Sequence, residues 1–196
     1  MDKIYTESCT VFGGRIEVPM KEERYNFKFV ILSSIGAFAL ASLFHFLYDW
    51  IQVPLLGIFF PVNESVWEHL KLCFYPIVLV WILPWGEFFP RWHKKGEKGC
   101  WLLVAFSGAA VSVTVAGITV LTWYYTLFSG FSINGLWVDL LLLWIGIVLG
   151  QSLGLYVTWR SFKIYQWIAI FYLLIIAVIF GVLTFYPLRL PVFLSP

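Results

Sequence analysis

Five long apolar runs, separated by short breaks carrying proline, glycine or charge, organise the sequence: Phe27 to Trp50, Ser65 to Leu83, Trp101 to Phe128, Ile133 to Val157 and Ile164 to Tyr186. A membrane-spanning helix needs about 20 apolar residues, so each run is expected to cross once. The expected fold class is all-α, a polytopic integral membrane bundle of five transmembrane helices over residues 27–186. Pro84-Trp85-Gly86-Glu87-Phe88-Phe89-Pro90 ends the second run, a charged stretch from Arg91 to Lys98 follows, and Ser129-Gly130 parts the third run from the fourth. Residues 1–26 read as a mobile cytoplasmic tail and residues 187–196, interrupted by prolines, as an extended tail on the outer side. No secretory signal peptide is expected, because the first 26 residues are polar and the first apolar run is too long for one. Met20, followed by Lys21-Glu22-Glu23-Arg24 and the first run, is the expected native start. No internal repeat or low-complexity linker is visible.

Composition strengthens the membrane reading: 61% of residues are hydrophobic, 12% are charged, and mean hydropathy is +0.85, against about 25% charged in soluble domains. The net charge of +2 and the lack of a basic patch interleaved with aromatics exclude nucleic acid as the expected partner. The bilayer takes that place. Cys9, Cys73 and Cys100 have no paired spacing and support neither a disulfide framework nor a thiolate metal site.

Lys and Arg distribution sets the orientation, since cytoplasmic loops hold the excess. Lys3, Arg15, Lys21, Arg24, Lys28, Arg91, Lys94, Lys95, Lys98, Arg160 and Lys163 all fall on one side, leaving only Lys71 and Arg189 of the 13. The N-terminus is therefore expected inside the cell and the C-terminus outside. The 11 tryptophans, among them Trp50, Trp85, Trp92, Trp101, Trp123 and Trp137, gather near run ends as an interfacial belt. His93, in the basic loop, reads as solvated.

Orientation places the polar residues of the apolar runs at one level, near the outer leaflet. His45 and Asp49 close the first run; Asn63, Glu64, Ser65, Glu68, His69 and Lys71 open the second; Tyr124 and Tyr125 close the third; Asp139 opens the fourth. At 100° per residue, Glu64, Glu68, Lys71 and Tyr75 form a stripe with His69 at its edge, while His45 and Asp49 are i,i+4 neighbours. The fourth run carries Gly135, Asp139, Gly146, Gly150 and Gly154 on one side, opposite Ala105, Gly108, Ala109, Ser112 and Ala116 of the third. Tight packing of those two helices is expected, with Asp139 pointing inward. Pro76 is expected to kink the second helix, and Gln151 to bridge helices.

Asn63, Ser65 and Glu68 are good helix-capping residues, but capping leaves His69 and Lys71 unexplained. Ionisable groups inside a membrane are costly and mark functional sites. Glu68, His69 and Asp49 are the candidate catalytic residues; His45, Asn63, Glu64, Lys71 and Asp139 are the candidate substrate-binding residues. His45, Glu68 and His69 form a candidate ligand set for a divalent metal such as zinc. The favoured expectation is a membrane-embedded, hydrolase-type enzyme, metal-assisted, acting on a lipid or small molecule. The alternatives are a proton-coupled transporter, for which a homodimer would supply the missing repeat, and a non-catalytic subunit binding lipid headgroups or an assembly partner.

The segments His45-Phe46-Leu47-Tyr48-Asp49 and Phe60-Pro61-Val62-Asn63-Glu64-Ser65-Val66-Trp67-Glu68-His69-Leu70-Lys71 resemble the signature of a family of small prokaryotic multi-pass membrane proteins of unknown function. The resemblance implies an all-helical membrane protein and carries no activity. The His-xxx-Asp piece is also similar to membrane hydrolases that hold zinc with three histidines, of which the third intramembrane histidine is missing here.

Overall fold

A computed structural model describes residues 4–11, 14–21, 27–83, 98–131, 135–159 and 166–193. The 84–90 break, Arg91, His93, Lys94, Lys95, Arg160 and Lys163 lie outside them. Within the segment read as a mobile tail, β1 (Ile4–Val11) and β2 (Gly14–Lys21) pair as an antiparallel hairpin, with Ile4 opposite Lys21 and Val11 opposite Gly14. Five helices follow: α1 (Phe27–Ile51), α2 (Val66–Ile82), α3 (Lys98–Tyr125), α4 (Leu136–Trp159) and α5 (Gln166–Phe185). Four of them, all but α2, are long and apolar enough to cross a membrane. With 17 residues, α2 rises roughly 26 Å, a little less than a hydrocarbon core of about 30 Å.

The short helix is the centre of the bundle. Leu72, Cys73, Phe74, Ile77, Val80 and Trp81 of α2 are all buried, so the apolar side of this helix packs against protein. α1 lays a strip of small residues toward the interior, Ser33, Ser34, Ala37 and Ala41, and keeps Ile31, Ile35, Leu43 and Phe46 outside. Phe74 and Trp67 of α2 meet Phe180 of α5, with ring centroids 5.4 and 5.0 Å apart. Pro76 is buried inside a continuous α2. Cys73 is a free, buried thiol.

The glycine spacing of α4 does what it is expected to do. A β-carbon at Gly150 would run into the Ser112 carbonyl, and one at Gly154 into the Ser112 hydroxyl and the Gly108 carbonyl of α3. Backbones therefore touch along this seam, the arrangement small residues permit between membrane helices. Trp81 of α2 locks onto it by donating Nε1–H to Ser112 Oγ at 3.0 Å. Gln151 is fully buried, yet among the described residues its amide has no partner, so the expected bridge between helices is not formed there.

These contacts bring the C-terminal ends of α1, α3 and α5 and the N-terminal ends of α2 and α4 to one end of the bundle. Trp50, Trp123 and Trp137 are exposed there, consistent with an interfacial belt. α3 ends in a π-helical turn, Thr126–Gly130. The connection from α1 to α2 holds a 3₁₀ turn, Pro54–Ile58. Beyond α5, the segment read as an extended tail turns back through a 3₁₀ turn, Pro191–Phe193, and Phe193 packs on Trp67 at a centroid distance of 5.0 Å.

Candidate functional site

The helix start that carries the polar residues is capped by Ser65, whose extended backbone (φ −72°, ψ 152°) and hydroxyl receive the Glu68 N–H at 3.4 Å. This is half of a capping box. Glu68 does not return to the cap; instead Asn63 Oδ1 accepts the Ser65 N–H at 2.9 Å. Glu64 consequently precedes the helix, and the 100° projection that places it in a stripe with Glu68 and Lys71 does not apply to it.

The polar cluster divides into two groups. In the first, Glu68 (2% exposed) and Lys71 (0% exposed) form a buried ion pair, Lys71 Nζ to Glu68 Oε2 2.6 Å. Lys71 also donates to the Gly57 carbonyl at 2.6 Å. Glu68 accepts the Val62 N–H on Oε2 at 3.0 Å and the Thr184 hydroxyl on Oε1 at 3.1 Å. Both charges are thereby paired and hydrogen-bonded, the condition for keeping them inside a low-dielectric interior.

In the second group, His45 from the last turns of α1, His69 from the second turn of α2 and Glu64 from the connection converge. One ligand atom from each lies within 4.8 Å of the others. His69 Nδ1 donates to the Ser65 carbonyl at 2.9 Å, which fixes the ring and directs Nε2 to Glu64 Oε2, 3.3 Å away. The His45 and His69 rings lie 5.3 Å apart, tilted by 54°. With Nδ1–H committed to a carbonyl, Nε2 is the ring nitrogen that faces the carboxylate. His45 Nδ1 is buried and has no partner among the described residues.

The chemistry of this set suits a transition metal. Two imidazoles and one carboxylate form a known catalytic zinc donor set that leaves coordination positions open, and bonds of about 2.0–2.1 Å put tetrahedral donors about 3.3 Å apart. The His69–Glu64 distance already has that value. A histidine ligand oriented through its other nitrogen by a backbone carbonyl is the usual outer-shell arrangement.

Several expected positions change. Glu68, expected as a catalytic residue and metal ligand, is turned into the bundle and held by Lys71, Val62 and Thr184; Glu64 stands in its place beside the histidines. Lys71, expected to bind substrate, has its ammonium paired inside the protein. Asp139 is exposed at the open end of α4, not turned inward, though it lies within charge–charge reach of His69 and Tyr124. Asp49 is exposed one turn beyond His45, and Asn63 is exposed beside Glu64. Gly57, Val62 and Thr184 are not identified by the sequence reading. The only signal for Thr184 is a hydroxyl near the C-terminal end of the most apolar run, and Val62 acts through its backbone.

No curated protein and no solved structure matches the chain. A family model does match, over residues 19–195, and it is described as a family of unknown function (DUF6512); the chain belongs to that family.

Proposed function

We propose that this protein crosses the cell membrane five times, with its N-terminus in the cytoplasm and its C-terminus outside. At the outer leaflet it carries a metal-assisted, hydrolase-type site for a lipid or small molecule. The one-sided distribution of Lys and Arg supports the orientation. α2, though short, runs the length of the core beside the four longer helices, and tilt or local thinning absorbs such mismatch.

The observation that carries the reading is the convergence of His45, Glu64 and His69 to within 4.8 Å, with His69 held by the Ser65 carbonyl. A bound divalent metal supplies Lewis-acid polarisation of water or of an ester oxygen at neutral pH. The chain's own residues do the rest. His69 Nε2 and Glu64 bind on one side, and His45 closes from α1. Asp139 and Asp49, exposed at the same level, are placed to hold a proton or orient a polar headgroup.

The test is metal content by mass spectrometry of detergent-purified full-length protein, combined with hydrolysis of a fluorogenic ester. The expected result is about one zinc per chain, lost together with hydrolysis in His69→Ala and Glu64→Gln. Protein free of metal that still hydrolyses the ester, or that is unaffected by His69→Ala, refutes the reading. Stoichiometric metal without any hydrolysis would favour a non-catalytic subunit.

A further inference from the structure

We infer that the buried Glu68–Lys71 pair is the positioning element of the His45–Glu64–His69 centre, an inference that rests on reading those three residues as a metal site. Glu64 is an exposed side chain on a connection between helices, with 67% of its surface accessible. Nothing about such a residue fixes its carboxylate beside a histidine unless its backbone is held from both sides.

It is held in that way. Upstream, Lys71 Nζ grips the Gly57 carbonyl and Glu68 Oε2 grips the Val62 N–H, so two points of the connection are tied to one ion pair. Downstream, Ser65 is the helix cap, bonded to the Glu68 N–H, with its own N–H on Asn63 Oδ1. Only Asn63 and Glu64 lie between those anchors. Glu68 Oε1 adds the Thr184 hydroxyl of α5, which fixes the pair to a helix outside the connection. Gly57 fits because a β-carbon there would come within 2.6 Å of Val62 Cγ1, 3.5 Å of Tyr48 and 3.8 Å of Thr184. Two points of the connection, Gly57 and Val62, are pressed that closely onto each other.

Stability alone does not account for the pair. A buried ion pair is often matched or bettered by well-packed apolar residues, so three interactions aimed at backbone and hydroxyl groups of other segments point to placement. Glu68 and Lys71 touch no ligand in this scheme; they act through the backbone that presents Glu64.

The experiment measures zinc affinity by competition with a chromophoric chelator, alongside thermal unfolding, on full-length protein in detergent. Glu68→Gln/Lys71→Met removes both charges together, leaving neither buried and alone. The expected result is zinc binding weakened by about 10- to 100-fold, the range for outer-shell changes, in protein that still unfolds cooperatively. Should that variant fail to fold, Gly57→Ala carries the same expectation without touching a charge, because its methyl displaces the stiff Val62 side chain. Thr184→Val, which loosens one tie, is expected to weaken binding less. A folded double variant or Gly57→Ala variant with wild-type zinc affinity overturns the inference alone. Wild-type protein that binds no zinc overturns the metal reading and this inference with it.

Discussion

Glu64 and Glu68 stand four residues apart at the start of one helix, and the protein treats them in opposite ways. Glu68 is buried, with an ammonium, an amide and a hydroxyl on its two oxygens. Glu64 is exposed, and its partner is the nitrogen of a histidine. The first carboxylate is sealed inside the protein with three partners and is not presented to a ligand. The second keeps an oxygen and open space, next to two imidazoles. In a membrane protein the cost of an ionisable group does not by itself mark the reactive one; what matters is whether its hydrogen-bonding capacity is already filled.

The sharpest way to break this comparison is to remove one side of the buried pair. Lys71→Met leaves Glu68 charged and unpaired in the interior, and is expected to destabilise the protein by about 3–5 kcal/mol. Denaturant unfolding in detergent measures it, and a loss below about 1 kcal/mol would show that water reaches Glu68. A smaller effect is expected from Ser65→Ala, which removes the cap hydroxyl and costs about 1 kcal/mol. His69 is held by the Ser65 backbone carbonyl, but the hydroxyl is one tie of the connection that carries Glu64, so zinc binding should weaken modestly in this variant without being lost. Loss of zinc with little change in stability would mean that the cap positions the histidine by another route. The least effect on stability is expected at the open centre: Glu64→Gln should shift the unfolding free energy by no more than about 0.5 kcal/mol, as for other exposed positions, while lowering zinc affinity. A large destabilisation there would turn Glu64 into a structural residue like Glu68.

Much of the architecture is legible from the residues. The apolar runs foretell five helices because a run of about 20 apolar residues has few alternatives to helix in lipid. The Gly146, Gly150 and Gly154 spacing foretells contact with α3, because the absence of side chains on one face is visible in the chain itself. The level of the polar cluster also follows from counting positions along helices. Four features do not follow. Helical projection begins only at the cap, so it misplaces Glu64 relative to Glu68. The buried pair depends on Gly57, 14 positions from Lys71, and on Thr184, 116 positions from Glu68. Asp139 lies on the glycine side of α4 but in its first turn, where the helix emerges from its packing against α3. Phe193 packs on Trp67 from 126 positions further along the chain.

The sequence by itself determined the class of protein, the number and extent of the helices, and the end of the bundle at which ionisable groups collect, because each of these follows from local hydrophobicity and spacing. The tertiary structure alone decided which groups are sealed and which are open. That division depends on carbonyls, amides and hydroxyls from distant segments: Gly57, Val62 and Thr184 close around Glu68 and Lys71, whereas His45, Glu64 and His69 meet where three segments end and keep donor atoms free.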